Sequence, residues 1–69
     1  MEEITIVLTR HAKEKMVTLG ITKEQIKRAI QQGATTKQTD GYLASYTYLK
    51  VAYKETRENS YKIKTVFIG

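Results

Sequence analysis

Cysteine, proline and tryptophan are all missing from the 69 residues, and histidine occurs once. Without sulfhydryls there is no disulfide framework, no thiolate nucleophile and no zinc site built on sulfur, and a single imidazole cannot make a two-histidine zinc site. No metal site and no cofactor are therefore expected. No apolar run approaches the roughly 20 residues of a membrane span, and Met1-Glu2-Glu3 lacks the positive charge that opens a signal peptide. The expectation is a soluble cytoplasmic protein that makes no membrane contact.

A chain this short buries only about 60% of the surface its unfolded form exposes, so one compact domain over residues 1–69 with a small core is the reading. Aromatic and β-branched residues are plentiful, which argues against disorder. The formal net charge of +5 biases the chain toward a polyanion or an acidic protein. Charge of this kind also serves solubility alone.

Helical signals come first. Ile4, Ile6 and Leu8 alternate with Thr5, Val7 and Thr9, which predicts a short opening strand or extended arm. Thr9 then suits the N-cap of a helix that Gly20 ends, with Ala12, Met16 and Leu19 as its buried stripe and His11, Lys15 and Thr18 as a second stripe beside it. Thr22 and Gln25 have capping-box spacing, Ile26, Ala29 and Ile30 give the second helix an inner face, and Gly33 stops it. With Ile21 in so short a connection, the two helices are expected to pack as a close pair.

From Ala34 onward the helical period disappears and strand-forming residues dominate. Asp40-Gly41 predicts a tight turn after a strand at 34–39, and Thr56-Arg57-Glu58-Asn59-Ser60 predicts a longer hairpin loop between runs 49–55 and 61–68. Tyr42 to Glu55 contains no Gly, Pro or Asn, so one bent strand and two strands fit equally. The expected fold class is α+β, with two N-terminal helices on a three- to four-stranded antiparallel sheet.

Strict alternation puts Leu49, Val51 and Tyr53 on one face and Tyr46, Tyr48, Lys50, Ala52 and Lys54 on the other. In the last run Tyr61, Ile63, Thr65 and Phe67 alternate with Lys62, Lys64, Val66 and Ile68. If the apolar sets face the helices, Lys50, Lys54, Lys62 and Lys64 gather on the open face beside Tyr46 and Tyr48. Such a face suits a phosphate backbone and unstacked bases, and equally a solvated sheet whose lysines discourage edge pairing.

The string His11-Ala12-x-x-Lys15-Met16, the Gly20-Ile21-Thr22 turn and the closing Lys64-Thr65-Val66 resemble the family known as domain of unknown function 4258. That family is usually grouped with small RelE-type and BrnT-type toxin domains of the barnase, EndoU and colicin ribonuclease-like superfamily. The resemblance runs from about Thr9 to Ile68 and implies a RelE-like fold. The family more often carries arginine where this chain has Lys15, and commonly another where it has Leu19.

By that resemblance His11, Lys15 and Thr65 are the candidate catalytic residues, and Arg10, Tyr46, Tyr48, Lys50, Lys54, Lys62 and Lys64 the candidate nucleic-acid-binding ones. The implied chemistry is metal-independent RNA cleavage, in which the ribose 2′-hydroxyl attacks its own phosphate with a base, stabilising cations and an acid. Imidazole has an ordinary pKa near neutrality, and Arg10 and Lys15 sit at the same helix entrance. Three readings stand: a toxin-like endoribonuclease restrained by an acidic antitoxin, a non-catalytic module binding RNA or an acidic protein, and a structural homodimer.

Overall fold

The computed structural model describes residues 4–69, so the reading of Met1-Glu2-Glu3 lies outside the described residues. Strand β1 (Thr5–Leu8) leads into helix α1 (Arg10–Leu19), then helix α2 (Lys23–Gln32) and strands β2 (Ala34–Gln38), β3 (Gly41–Tyr46), β4 (Leu49–Arg57) and β5 (Ser60–Ile68). Both helix boundaries follow from the capping chemistry. Thr9 Oγ1 accepts from the Ala12 N–H at 3.1 Å, and Gly20 takes the left-handed conformation (φ 70°) while its N–H reaches back to the Met16 and Val17 carbonyls. At α2, the Thr22 N–H donates to Gln25 Oε1 at 2.8 Å while the Thr22 hydroxyl accepts from the Gln25 N–H, completing a capping box.

The sheet has five strands in the order β1-β5-β4-β3-β2, and it is mixed. This corrects the expected three- to four-stranded antiparallel sheet. β1 pairs parallel with β5, bringing Ile6 opposite Tyr61 and Leu8 opposite Ile63, while the other three pairings are antiparallel. The opening arm must satisfy its backbone groups somewhere, and the edge of β5 offers the complementary row. Alternation in a four-residue segment reports its faces but carries no label for a partner 55 residues away.

Tyr42 to Glu55 forms two strands, joined by a turn at Thr47 and Tyr48 in which Thr47 holds φ 55°. A β-branched residue rarely takes that conformation, so the turn had no residue signature. The Asp40-Gly41 turn is shifted by one: Gln38 pairs with Gly41, so Thr39 and Asp40 make the corner and Gly41 opens β3. The expected loop at 56–60 is instead a two-residue turn, Glu58-Asn59, with Asn59 at φ 58°. Asparagine tolerates this region better than most residues, which lets the strands run to Arg57 and from Ser60.

One apolar cluster lies between the helices and the sheet, centred on the fully buried Ile26, Ile63, Val51 and Val66. The helices do not form the expected close pair. α1 rests on β5, whereas α2 rests on β3, β4 and the start of β2, so each spends its apolar stripe on the sheet rather than on its neighbour. Tyr53 joins the core with its ring stacked on Tyr42 at 5.7 Å and meeting the edge of Tyr61 at 5.3 Å.

Strict alternation fails in β5. Val51 faces Val66 and Ala52 faces Thr65, but Tyr53 faces Ile63, so Lys64 is an extra residue in a β-bulge. Tyr61 and Ile63 share the core face before it, and after it Val66 and Ile68 take that face while Thr65 and Phe67 turn to the open one. The expected grouping of Tyr61, Ile63, Thr65 and Phe67 on one side is therefore corrected by a single inserted residue.

Candidate functional site

Leu49, Val51 and Tyr53 are buried, so Lys50, Ala52 and Lys54 of β4 point to the open face. Their cross-strand partners on β5 are Phe67, Thr65 and Lys62. Lys54 and Lys62 are thus direct neighbours, an arrangement that like charges oppose. The turn before β3 supplies the relief. Asp40 Oδ1 lies 3.4 Å from Lys54 Nζ and Asp40 Oδ2 lies 3.7 Å from Lys64 Nζ, and Lys64 also donates to the Asp40 carbonyl. The hydrogen bond and charge of Lys54, followed by the charge of Lys64, hold the Asp40 carboxyl below its ordinary pKa.

β1 ends opposite Ile63, so the edge of β5 beyond the bulge is left to α1. Thr9 Oγ1 donates to the Ile63 carbonyl at 2.9 Å and pins the helix start there. One residue into the first turn, His11 Nε2 and Thr65 Oγ1 share a hydrogen bond of 3.0 Å, its direction set by the imidazole tautomer. Thr9, His11, Asp40, Lys54, Lys62 and Lys64 line a shallow open cleft of about 450 Å³. Three ammonium groups face one carboxylate there, and Lys62 has no ion-pair partner among the described residues. The positive end of α1 adds to the field.

The structure therefore brings His11 and Thr65 into contact and sets Lys54, Lys62 and Lys64 beside them. Lys15 is one helical turn from His11 on the same face of α1 but does not line the cleft. Arg10 is 94% exposed and pairs with Glu14 at 3.7 Å, i to i+4 along the helix. Lys50 shares the open face but lies four residues along β4 from Lys54, roughly 13 Å at strand rise. Tyr46 packs at the margin of the core, on the opposite face from Lys50. Tyr48 is exposed at the β3–β4 turn and lines a separate pocket of about 150 Å³ with Leu19, Arg28 and Ile68.

Two cleft residues escaped the sequence reading as site members: Thr9, read only as a cap, and Asp40, read only as a turn former. Hairpin arithmetic holds the signal for Asp40. Once Tyr42 pairs with Tyr53, the residue preceding Gly41 stands beside Lys54.

The family model for a domain of unknown function (DUF4258) matches residues 8–68, from the end of β1 to the end of β5. The chain belongs to the DUF4258 family. Within that span the DUF4258 domain contains every residue of the cleft, so the site is built wholly from the family's own fold. No curated protein and no solved structure matches the chain. No helix among the described residues is long and apolar enough to cross a membrane.

Proposed function

We propose that this DUF4258 domain binds the phosphate backbone of RNA in the cleft between the start of α1 and the open face of β4 and β5. The observation that carries this reading is the convergence of Lys54, Lys62 and Lys64 with His11 around one cleft that holds a single carboxylate. A polyanion neutralises Lys62, displaces Asp40 from Lys54 and Lys64, and relieves the like-charge contact across the strands. The grouping that the family resemblance implies, with RelE-type and BrnT-type toxin domains, favours RNA over other polyanions. In a toxin pair the antitoxin would be an acidic chain covering the same cations.

Endoribonuclease activity is a second reading, favoured by the imidazole that lines the cleft against Thr65. His11 would accept the 2′-hydroxyl proton, the 2′ oxygen would bond to phosphorus, and the bond to the 5′ oxygen would break as that oxygen gains a proton from an ammonium of the cluster. Lysines offset the charge of the crowded phosphorane, so no metal is required.

Fluorescence anisotropy with a labelled single-stranded RNA across a salt series tests binding. Affinity should fall steeply with salt, and Lys62→Glu with Lys64→Glu should abolish it; binding that ignores both salt and charge reversal overturns the proposal. Incubating the same RNA with chelator tests cleavage, which should be present in the wild type and lost in His11→Ala.

A further inference from the structure

The chain's single phenylalanine is not in the core. Phe67 is 39% exposed on the open face, directly across from Lys50, because the bulge at Lys64 turned the end of β5 over. Its neighbours on that face are low: Ser45 is the β3 partner of Lys50, and Ala52 pairs with Thr65 one row nearer the cleft. An aromatic ring next to a cation, with small side chains around it, is a shelf with room for a flat ring system. Thr65 is two residues away along β5, roughly 7 Å, and the Lys54–Lys62 row is roughly 13 Å away, within the reach of a short single strand.

We infer that Phe67 and Lys50 form a base-stacking subsite that makes the open face selective for unpaired nucleotides. The inference rests on the RNA-binding reading of the lysine cleft and deepens it. Lysines alone accept any phosphate backbone, whereas a stacking surface is useful only for bases already out of a duplex. A short single strand then runs from His11 and Lys62 across Thr65 and Ala52, with one base on Phe67 and its phosphate near Lys50. Single-stranded DNA offers the same rings and phosphates, and comparison with RNA of the same sequence separates the two sources.

The test measures affinity for a six-nucleotide single-stranded RNA, its DNA counterpart, the same RNA with abasic positions, a short RNA duplex and inorganic polyphosphate. Phe67→Leu keeps an apolar side chain without a π face, and Phe67→Tyr keeps the ring. The expected result is roughly tenfold weaker binding of the single strand by Phe67→Leu, near wild-type binding by Phe67→Tyr, and no change for polyphosphate with either. Should Phe67→Leu fail to fold, the wild-type comparison decides: base-bearing and abasic RNA of equal affinity overturn the subsite. A duplex bound as tightly as the single strand also overturns it, as does Phe67→Leu that folds and binds RNA normally while loss of Lys62 and Lys64 abolishes binding. That last outcome leaves the lysine cleft standing. Wild-type protein that binds no RNA removes the cleft reading and the subsite with it.

Discussion

The hydrogen bond of 3.0 Å between His11 Nε2 and Thr65 Oγ1 joins residues 54 positions apart, and it exists because of the extra residue at Lys64. Without the bulge, Thr65 would share the core face with Ile63. With it, the hydroxyl meets the first turn of α1 at the edge where β1 has ended.

The pair is expected to couple energetically. In a double-mutant cycle with His11→Ala and Thr65→Val, followed by urea denaturation, the coupling should be about 0.5–1 kcal/mol, the low end for a hydrogen bond because both groups are exposed. A coupling of zero would mean that solvent replaces the contact without loss.

Asp40 is expected to govern acid stability and, on the proposed binding of RNA, anion affinity. Its carboxyl is held below the ordinary value of 3.8 by Lys54 first and Lys64 second, so the folded state favours the ionised form. The resulting stabilisation is complete above the unfolded value and is lost as pH falls through the lower, folded one. Between pH 5 and pH 2 the denaturation midpoint of the wild type should fall more steeply than that of Asp40→Asn. The same variant removes the one carboxylate from the cleft, so its RNA affinity should rise several-fold at low salt and converge on the wild type at high salt.

Local chemistry was legible in the sequence wherever a single residue type decides it. Thr9, Gly20, Thr22 and Gln25 fix both helix boundaries by capping groups that lie within a few positions of each other. The lysine cluster was legible in part, because Lys54 belongs to a regular alternation and its partner Lys62 follows from the hairpin. What was not legible is non-local or residue-neutral. The parallel pairing of β1 with β5 depends on an edge formed at the other end of the chain, the Thr47 turn uses a residue that normally avoids positive φ, and the bulge at Lys64 adds one residue without any glycine to mark it. Because a strand has period two, that one residue moved Thr65 and Phe67 to the opposite face.

Gly41 and Gly20 should respond differently to alanine. Gly20 sits at φ 70° with open space around it, so Gly20→Ala pays only the left-handed penalty, about 1–2 kcal/mol. Gly41 holds φ 113°, and a Cβ there would collide with the Tyr53 carbonyl across the β3–β4 ladder. Gly41→Ala should lower the thermal midpoint further than Gly20→Ala. Equal midpoints for the two variants would show that the corner relaxes freely.

Alkaline stability should depend on Tyr61. Burial first, then the charge of Glu55 and that of Tyr53, raise its phenol above the ordinary pKa of 10.0. At neutral pH both folded and unfolded chains hold the proton and the group contributes no pH dependence. As pH rises past 10.0 the unfolded chain releases the proton first, so the stabilising effect of the neutral phenol is lost progressively until the folded value is passed. Tyr61→Phe keeps the ring that meets Tyr53 edge-on at 5.3 Å but removes the titrating group. Urea midpoints from pH 8 to pH 11.5 should therefore decline less in Tyr61→Phe than in the wild type. Parallel declines would mean that Tyr61 ionises alike in both states.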